Sequence, residues 1–286
     1  MLPTQPLTPL CPACGRKTAQ RHLYRKNGCD ILQCEACGLG RTVPIADFDP
    51  SAYYTDGYFS GEHADGYADY VGAESVLRRE FVRTVEFIRT LVPRGRLLEL
   101  GCAYGFFLEE AKRHYEVAGI ELAPDAAEFC RSRGLNVVTG VAADATLHRL
   151  GPPFDAVVLL DVIEHLQEPH ETLALCATHL NPGGVVVLTT GDFGSPVARL
   201  LGAGWRLMTP PQHLWFFTVE SFRRLAPQYG LHVERIDRPW KTVPLSLILF
   251  QVLRMLGRRA EALAMASRIG LPVNLFDAMR VVLRKG

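Results

Sequence analysis

The chain has 286 residues, 48% hydrophobic and 21% charged, which excludes a disordered, collagenous or coiled-coil polypeptide. It fits one domain of roughly 150–200 residues with an accessory piece. With 31 Lys and Arg against 30 Asp and Glu the net charge is +1, so no whole-molecule field draws the protein to phosphate polymers or anionic membranes.

The opening MLPTQPLTPL lacks a basic stretch followed by an apolar run, so no secretion signal is expected and a cytoplasmic location is. From Cys11 to about Val43 the sequence is polar and turn-rich, with CPAC, an Asn27-Gly28 turn and CEACG. Cys11-x2-Cys14-x19-Cys34-x2-Cys37 supplies four thiolates in two knuckles, each of which aims both sulfurs at one point, as tetrahedral zinc requires. Four sulfurs fill the shell, so the expected ion is structural zinc, and residues 1–45 are taken as a zinc ribbon. Cys29 lies between the knuckles and is read as a bystander.

Residues 46–92 form an aromatic segment and a connecting helix. Tyr53, Tyr54, Tyr58, Phe59, Tyr67 and Tyr70 sit among glycines in a stretch too irregular for a regular element, and are read either as a lid over a cofactor or as packing. Leu77, Phe81, Val82, Val85 and Ile88 then recur at helical spacing over Glu74 to Leu91, before Pro93 and Gly95.

From residue 93 to 286 short apolar runs alternate with helical stretches: RLLELG, a helix over Phe107 to His114, EVAGIEL, a helix over Asp125 to Arg133, LNVVTG, FDAVVLLD, a helix over Glu171 to His179, and GGVVVLTT. This predicts an α/β fold with parallel strands buried on both faces. A Gly/Pro-interrupted insertion at 191–211, HLWFFT, a helix over Ser221 to Tyr229, LHVERID, a helical insertion at about 240–272 and AMRVVLRK follow. The apolar helix over Leu245 to Leu256 carries Gln251 and Arg254 and is too short to span a bilayer. It is read as packing on the domain or on a second copy in a homodimer.

Leu100-Gly101-Cys102-Ala103-Tyr104-Gly105 joins a buried strand to a helix, where glycines let backbone approach a ligand closely. Twenty residues past Gly101, Glu121 ends the next strand, placed to accept from both hydroxyls of a ribose. The pair points to an adenosine-containing cofactor. The nicotinamide pattern G-x-G-x-x-G is not met, because no second glycine lies within two residues of Gly101.

ELGCAYG resembles the E/D-x-G-x-G-x-G first motif of class I S-adenosylmethionine-dependent methyltransferases. FDAVVLLDVIEHL and NPGGVVVLTT resemble that family's fourth and fifth strands, and AMRVVLRK its antiparallel last strand. The resemblance covers about 94–237 and implies a Rossmann-like sheet with S-adenosyl-L-methionine as cofactor. It places Glu99 near the cofactor's amino acid moiety, Gly101, Ala103 and Gly105 beneath it, Glu121 on the ribose and Asp161 beside the methionine portion. Ala103 stands where the family has glycine.

Methyl transfer to an OH or acidic CH needs a base, for which histidine is suited. Pro211-Gln212-His213-Leu214-Trp215-Phe216-Phe217-Thr218 resembles the E-H-x-x-x-F-[ST] stretch of zinc-containing sugar C-methyltransferases, with Gln212 replacing the acid; the resemblance makes His213 the base. The other reading has His213 bonding a backbone carbonyl and ordering its loop. His165, predicted to open a helix after the fourth strand, is the second candidate, with a pocket-wall role as its alternative. The expected activity is methylation of a small molecule, such as a sugar, glycan precursor or related metabolite, at oxygen or carbon. The alternative is an rRNA or tRNA methyltransferase using the basic excess of the ribbon (Arg16, Lys17, Arg21, Arg25, Lys26, Arg41). No NPPY-like tetrapeptide follows the fourth strand, so a nucleic acid partner is not expected.

Overall fold

The computed structural model describes residues 9–43, 69–255 and 264–286; Tyr53, Tyr54, Tyr58, Phe59 and Tyr67 lie outside these. The chain opens with five strands: β1 (Leu10–Cys11), β2 (Arg16–Lys17), β3 (Gln20–Lys26), β4 (Cys29–Cys34) and β5 (Gly40–Val43). Then come α1 (Glu74–Leu91), β6 (Gly95–Leu100), α2 (Phe106–Ala111), β7 (Tyr115–Glu121), α3 (Pro124–Ser132), β8 (Asn136–Thr139), α4 (Asp144–Arg149) and β9 (Phe154–Leu160). The remainder is α5 (Pro169–His179), β10 (Leu180–Gly191), α6 (Pro196–Leu201), β11 (Trp215–Phe216), α7 (Val219–Leu225), β12 (Leu231–Asp237), β13 (Lys241–Pro244), α8 (Leu245–Met255), α9 (Ala264–Ser267), β14 (Gly270–Val273) and β15 (Ala278–Lys285). No described helix is long and apolar enough to cross a membrane.

Seven strands form one sheet in the order β12-β15-β10-β9-β6-β7-β8. The apolar runs RLLEL, EVAGIE and NVVT pair in parallel as β6, β7 and β8. AMRVVLRK runs antiparallel between β10 and β12, the last-strand arrangement the resemblance implied. Val185 to Leu188 and Val281 to Leu283 are wholly buried, which is why these strands read as continuous apolar runs instead of alternating ones.

Two compact units can be told apart. One comprises 51–157 and 239–274. In it, α1 buries Val76, Leu77, Val85 and Ile88 along one stripe. Phe81 meets Phe107 edge-on at 5.9 Å, and Arg78 binds Glu74, Glu109 and Glu110, anchoring α1 to α2. Tyr70 stacks on Tyr104 and Phe106 at 5.9 and 5.6 Å, so the one described tyrosine of the aromatic segment packs at the start of α2.

The other unit comprises 1–50, 158–238 and 275–286. Its four-stranded sheet runs β11-β5-β4-β3. The β3–β4 hairpin closes through Asn27 and Gly28 at φ 51° and 79°, the two positive values that a type I′ turn requires. The outer edge of β5 takes up β11, with Trp215 opposite Arg41 and Phe216 opposite Gly40. A Cβ on Gly40 would lie 2.8 Å from the ring of Phe193, so only glycine admits this approach.

Candidate functional site

The glycine turn after β6 is built from three left-handed residues: Gly101 at φ 71°, Ala103 at 46° and Gly105 at 73°. A Cβ on Gly105 would sit 2.6 Å from Leu135 Cδ1 and 2.8 Å from Cys130 Sγ, so a larger residue here would also have to displace these side chains. Glu121, buried at the end of β7, closes the turn: one carboxylate oxygen accepts from Ala103 N–H at 2.7 Å and the other from Ala123 N–H at 2.8 Å. Each oxygen keeps a lone pair, so the turn and a ribose can share one carboxylate. Burial pushes the Glu121 pKa up, while these N–H groups oppose the rise.

Glu99, one residue before the end of β6, is 3% exposed, and its Oε2 has no hydrogen-bond partner among the described residues. Burial first, then the negative fields of Cys130 and Glu121, hold its carboxyl well above the ordinary carboxylate range. A buried carboxyl with an unmatched oxygen beside a left-handed turn fits a ligand that brings an ammonium group, and S-adenosylmethionine carries one.

The histidines belong to the second unit. Asp161, at the end of β9, has φ 55° and accepts from Thr189 Oγ1 at 2.8 Å. The next residues make a single 3-10 turn over Ile163–His165 and α5 starts only at Pro169, so His165 does not open a helix as expected. Pro169 disfavours helical backbone in the residue before it and is itself suited to the first helical position, which delays the start. This turn puts the two imidazoles together, with ring centroids 4.6 Å apart at 74°. His165 Nδ1 lies 3.1 Å from the Gln212 carbonyl, and His213 Nδ1 lies 2.8 Å from the Leu207 carbonyl.

A carbonyl only accepts, so Nδ1 of His213 carries the proton and Nε2 keeps its lone pair. Burial lowers both pKa values: His165 to about 4, and His213 well below 6.5 with help from the field of His165. Both rings are therefore neutral at neutral pH. Ligand atoms of Glu164, His165 and His213 lie within 4.8 Å of one another. This trio can accept a proton from a hydroxyl or hold a divalent cation.

Comparisons with known proteins identify the domain that carries these residues. The methyltransferase domain family matches residues 73–236. The chain belongs to that family. Its core is that of a class I S-adenosylmethionine-dependent methyltransferase. The ubiquinone biosynthesis O-methyltransferase of Alkalilimnicola ehrlichii is 33% identical over 130 residues, 42% of this chain and 53% of the relative. Its counterpart in Methylococcus capsulatus is 30% identical over 142 residues, 46% of this chain and 58% of the relative. The chain thus spans between about half and three-fifths of the length of these curated relatives. The plantazolicin methyltransferase BpumL, solved in complex with SAH, shares the fold with a TM-score of 0.50 at 12% identity, over 81% of this chain and 88% of that one.

In this methyltransferase the four N-terminal cysteines converge. The sulfurs of Cys11 and Cys37 are 3.7 Å apart and those of Cys14 and Cys34 3.9 Å. The edge of a ZnS4 tetrahedron with bonds of about 2.3 Å is about 3.8 Å, so the donor set fits zinc. The hydrogen bond from Cys37 holds the Cys11 thiol down at about 5. The ribbon also grips the His213 loop. Thr42 donates through Oγ1 to the His213 carbonyl at 2.6 Å and through its N–H to the Leu214 carbonyl at 2.8 Å. Asn27 Nδ2 donates to the Pro210 carbonyl at 2.7 Å.

Sequence reasoning missed three groups around this loop. Leu214 N–H donates to the Glu164 carbonyl at 2.8 Å, and Glu164 itself is buried beside the histidines. Thr189 fixes Asp161. Asp277 is 1% exposed and accepts from Trp205 Nε1 and, bidentately, from Arg206, all at 2.9 Å, bracing the segment before His213. Only the Glu164-His165 adjacency left a trace in the sequence.

Proposed function

We propose that this methyltransferase methylates a hydroxyl oxygen of a small-molecule acceptor, with His213 as base. S-adenosylmethionine, when bound, supplies an electrophilic methyl on a sulfonium, whose C–S electron pair stays on sulfur as S-adenosylhomocysteine. Glu121 holds the ribose, Glu99 ionises against the amino group, and the left-handed turn lets the backbone at Gly101 and Gly105 approach the cofactor. As the acceptor oxygen forms its bond to carbon, its proton moves to Nε2 of His213, and Leu207 fixes the ring that receives it.

The observation that carries this reading is the His213 imidazole, neutral, half-buried and locked in the tautomer with a free Nε2 lone pair. The relatives are named for O-methylation in ubiquinone biosynthesis and not for sugar chemistry, which favours oxygen over carbon. The sugar or glycan acceptor suggested by residues 211–218 stays a candidate within the wider class of hydroxylated small molecules. Zinc on Cys11, Cys14, Cys34 and Cys37 serves here as a fold-forming ion, because the edge of the ribbon is taken up by β11 and its loops hold the base. That use supports a structural ribbon over an RNA-binding one.

The test is transfer of labelled methyl to hydroxylated phenols and sugars by the wild type and by His213→Asn. The variant is expected to lose about 10²–10⁴ in turnover, the range for a general base, with unchanged affinity for S-adenosylhomocysteine. Full turnover in the variant removes the base assignment.

A further inference from the structure

A cavity in the ribbon-containing unit has no part in the chemistry above. It has a volume of about 580 Å³, within the range of small-molecule pockets. None of Glu99, Glu121, Asp161, His165 or His213 lines it. Its wall comes from β3 of the ribbon, the loop after β10, α6 and α7.

The charges of this wall do not cancel. Asp192 is matched by Arg238, and Glu220 is matched by Arg224 at 2.7 Å on the same helix. Three further arginines face the cavity. Arg21 donates to the neutral Gln33 amide at 2.9 Å, and Arg199 and Arg223 are exposed, with no carboxylate partner among the described residues. Guanidinium groups without counter-charges, brought by three different elements to one concavity, are the arrangement that takes a polyanion through paired N–H donors.

Two more features give the ligand a shape. Tyr24 lines the cavity, and its buried hydroxyl has no hydrogen-bond partner among the described residues. Burial raises its pKa to about 12, so it is an O–H donor at neutral pH and calls for an acceptor. Leu23, Phe193, Ala198 and Val219 give the same cavity an apolar side, with Phe193 stacked on Trp205 at 5.9 Å and held rigid. The cavity therefore offers both cationic donors and apolar surface.

We propose that this cavity is a binding site for a phosphorylated organic molecule, whose phosphoryl oxygens lie against Arg21, Arg199 and Arg223 and whose ring or apolar body lies against Phe193 and Leu23. The site is separate from the cofactor turn and needs no methyl transfer to be occupied.

The experiment is calorimetric titration of the full chain, first saturated with S-adenosylhomocysteine, with uridine diphosphate as a probe that joins two phosphoryl groups to a ring. Binding is expected, weakened at least tenfold in the double variant Arg199→Gln/Arg223→Gln and severalfold in Tyr24→Phe, with Glu128→Gln, on the exposed face of α3 and outside the cavity, as a control that leaves it unchanged. Inorganic pyrophosphate, which has the charge without the ring, is expected to bind at least tenfold more weakly. No binding of uridine diphosphate to folded protein at about millimolar concentration, or equal affinity in the double variant, overturns the proposal. Equal affinity for pyrophosphate overturns its apolar half. Since the readout is binding and not turnover, failure here leaves the methyl-transfer reading standing, and failure of that reading leaves this one testable.

Discussion

Replacing Glu121 by Gln tests whether one carboxylate organises the cofactor turn. In the wild type its two oxygens accept N–H groups at 2.7 and 2.8 Å from Ala103 and Ala123. Hydrogen bonds to a charged group contribute roughly 1.5–3 kcal/mol each. Glutamine keeps one acceptor oxygen, and its NH2 faces the other N–H, so one bond is lost and the second weakens to that of a neutral pair. The gross loss is about 3 kcal/mol, and relief from burying a charge, seen in the raised pKa of Glu121, brings the net to about 2. At 1.4 kcal/mol per tenfold, a turn that must be formed before the cofactor docks loses about thirtyfold in affinity. Calorimetry with S-adenosylhomocysteine and urea unfolding read the two consequences separately. Glu128→Gln, on the exposed face of α3, is the control. An affinity within threefold of wild type, together with an unchanged unfolding free energy, would refute the role assigned to Glu121.

The neighbouring Glu99 makes cofactor binding depend on pH. Its carboxyl is held well above the ordinary carboxylate range by burial and ionises against the ammonium, so below that raised pKa binding releases a proton and affinity rises with pH by up to about tenfold per unit until Glu99 ionises unaided; a flat profile in wild type rejects this. Ala103→Gly relieves a left-handed alanine, a cost of about 1–2 kcal/mol partly offset by the greater freedom of glycine when unfolded. A net gain of about 0.5–1 kcal/mol in urea unfolding is expected, and a loss of stability contradicts it. Metal analysis should find one zinc per chain, absent in Cys34→Ser. Chelation is expected to reduce methyl transfer far more than affinity for S-adenosylhomocysteine, whereas equal losses would detach the ribbon from the His213 loop.

Local pattern carried much of this architecture. The spacing of Leu77, Val85 and Ile88 predicts the helix over Glu74 to Leu91 with the observed ends, because a stripe at period 3.6 is written in contiguous residues. The parallel strands, the left-handed glycines and the paired cysteines are local in the same sense. The His165 turn escaped because Pro169, four residues on, decides where the helix begins. The hold of the ribbon on His213 escaped for a different reason: β11 is two residues long and pairs with Arg41 and Gly40, far away in sequence, so it has no period to detect. His213 was legible as a residue type in a motif, and its bond to a backbone carbonyl was one of its two readings; that the carbonyl is Leu207's was not legible.

The pairing of β5 with β11 also sets an order of events during synthesis. The β5 edge leaves the ribosome long before Trp215 and Phe216 exist, and at roughly 5–20 residues per second it waits on the order of 10–35 s for them. Through that interval a strand with unpaired N–H and C=O groups is open to any other extended segment. The arrival of the segment bearing Trp215 and Phe216 ends that exposure of the β5 edge.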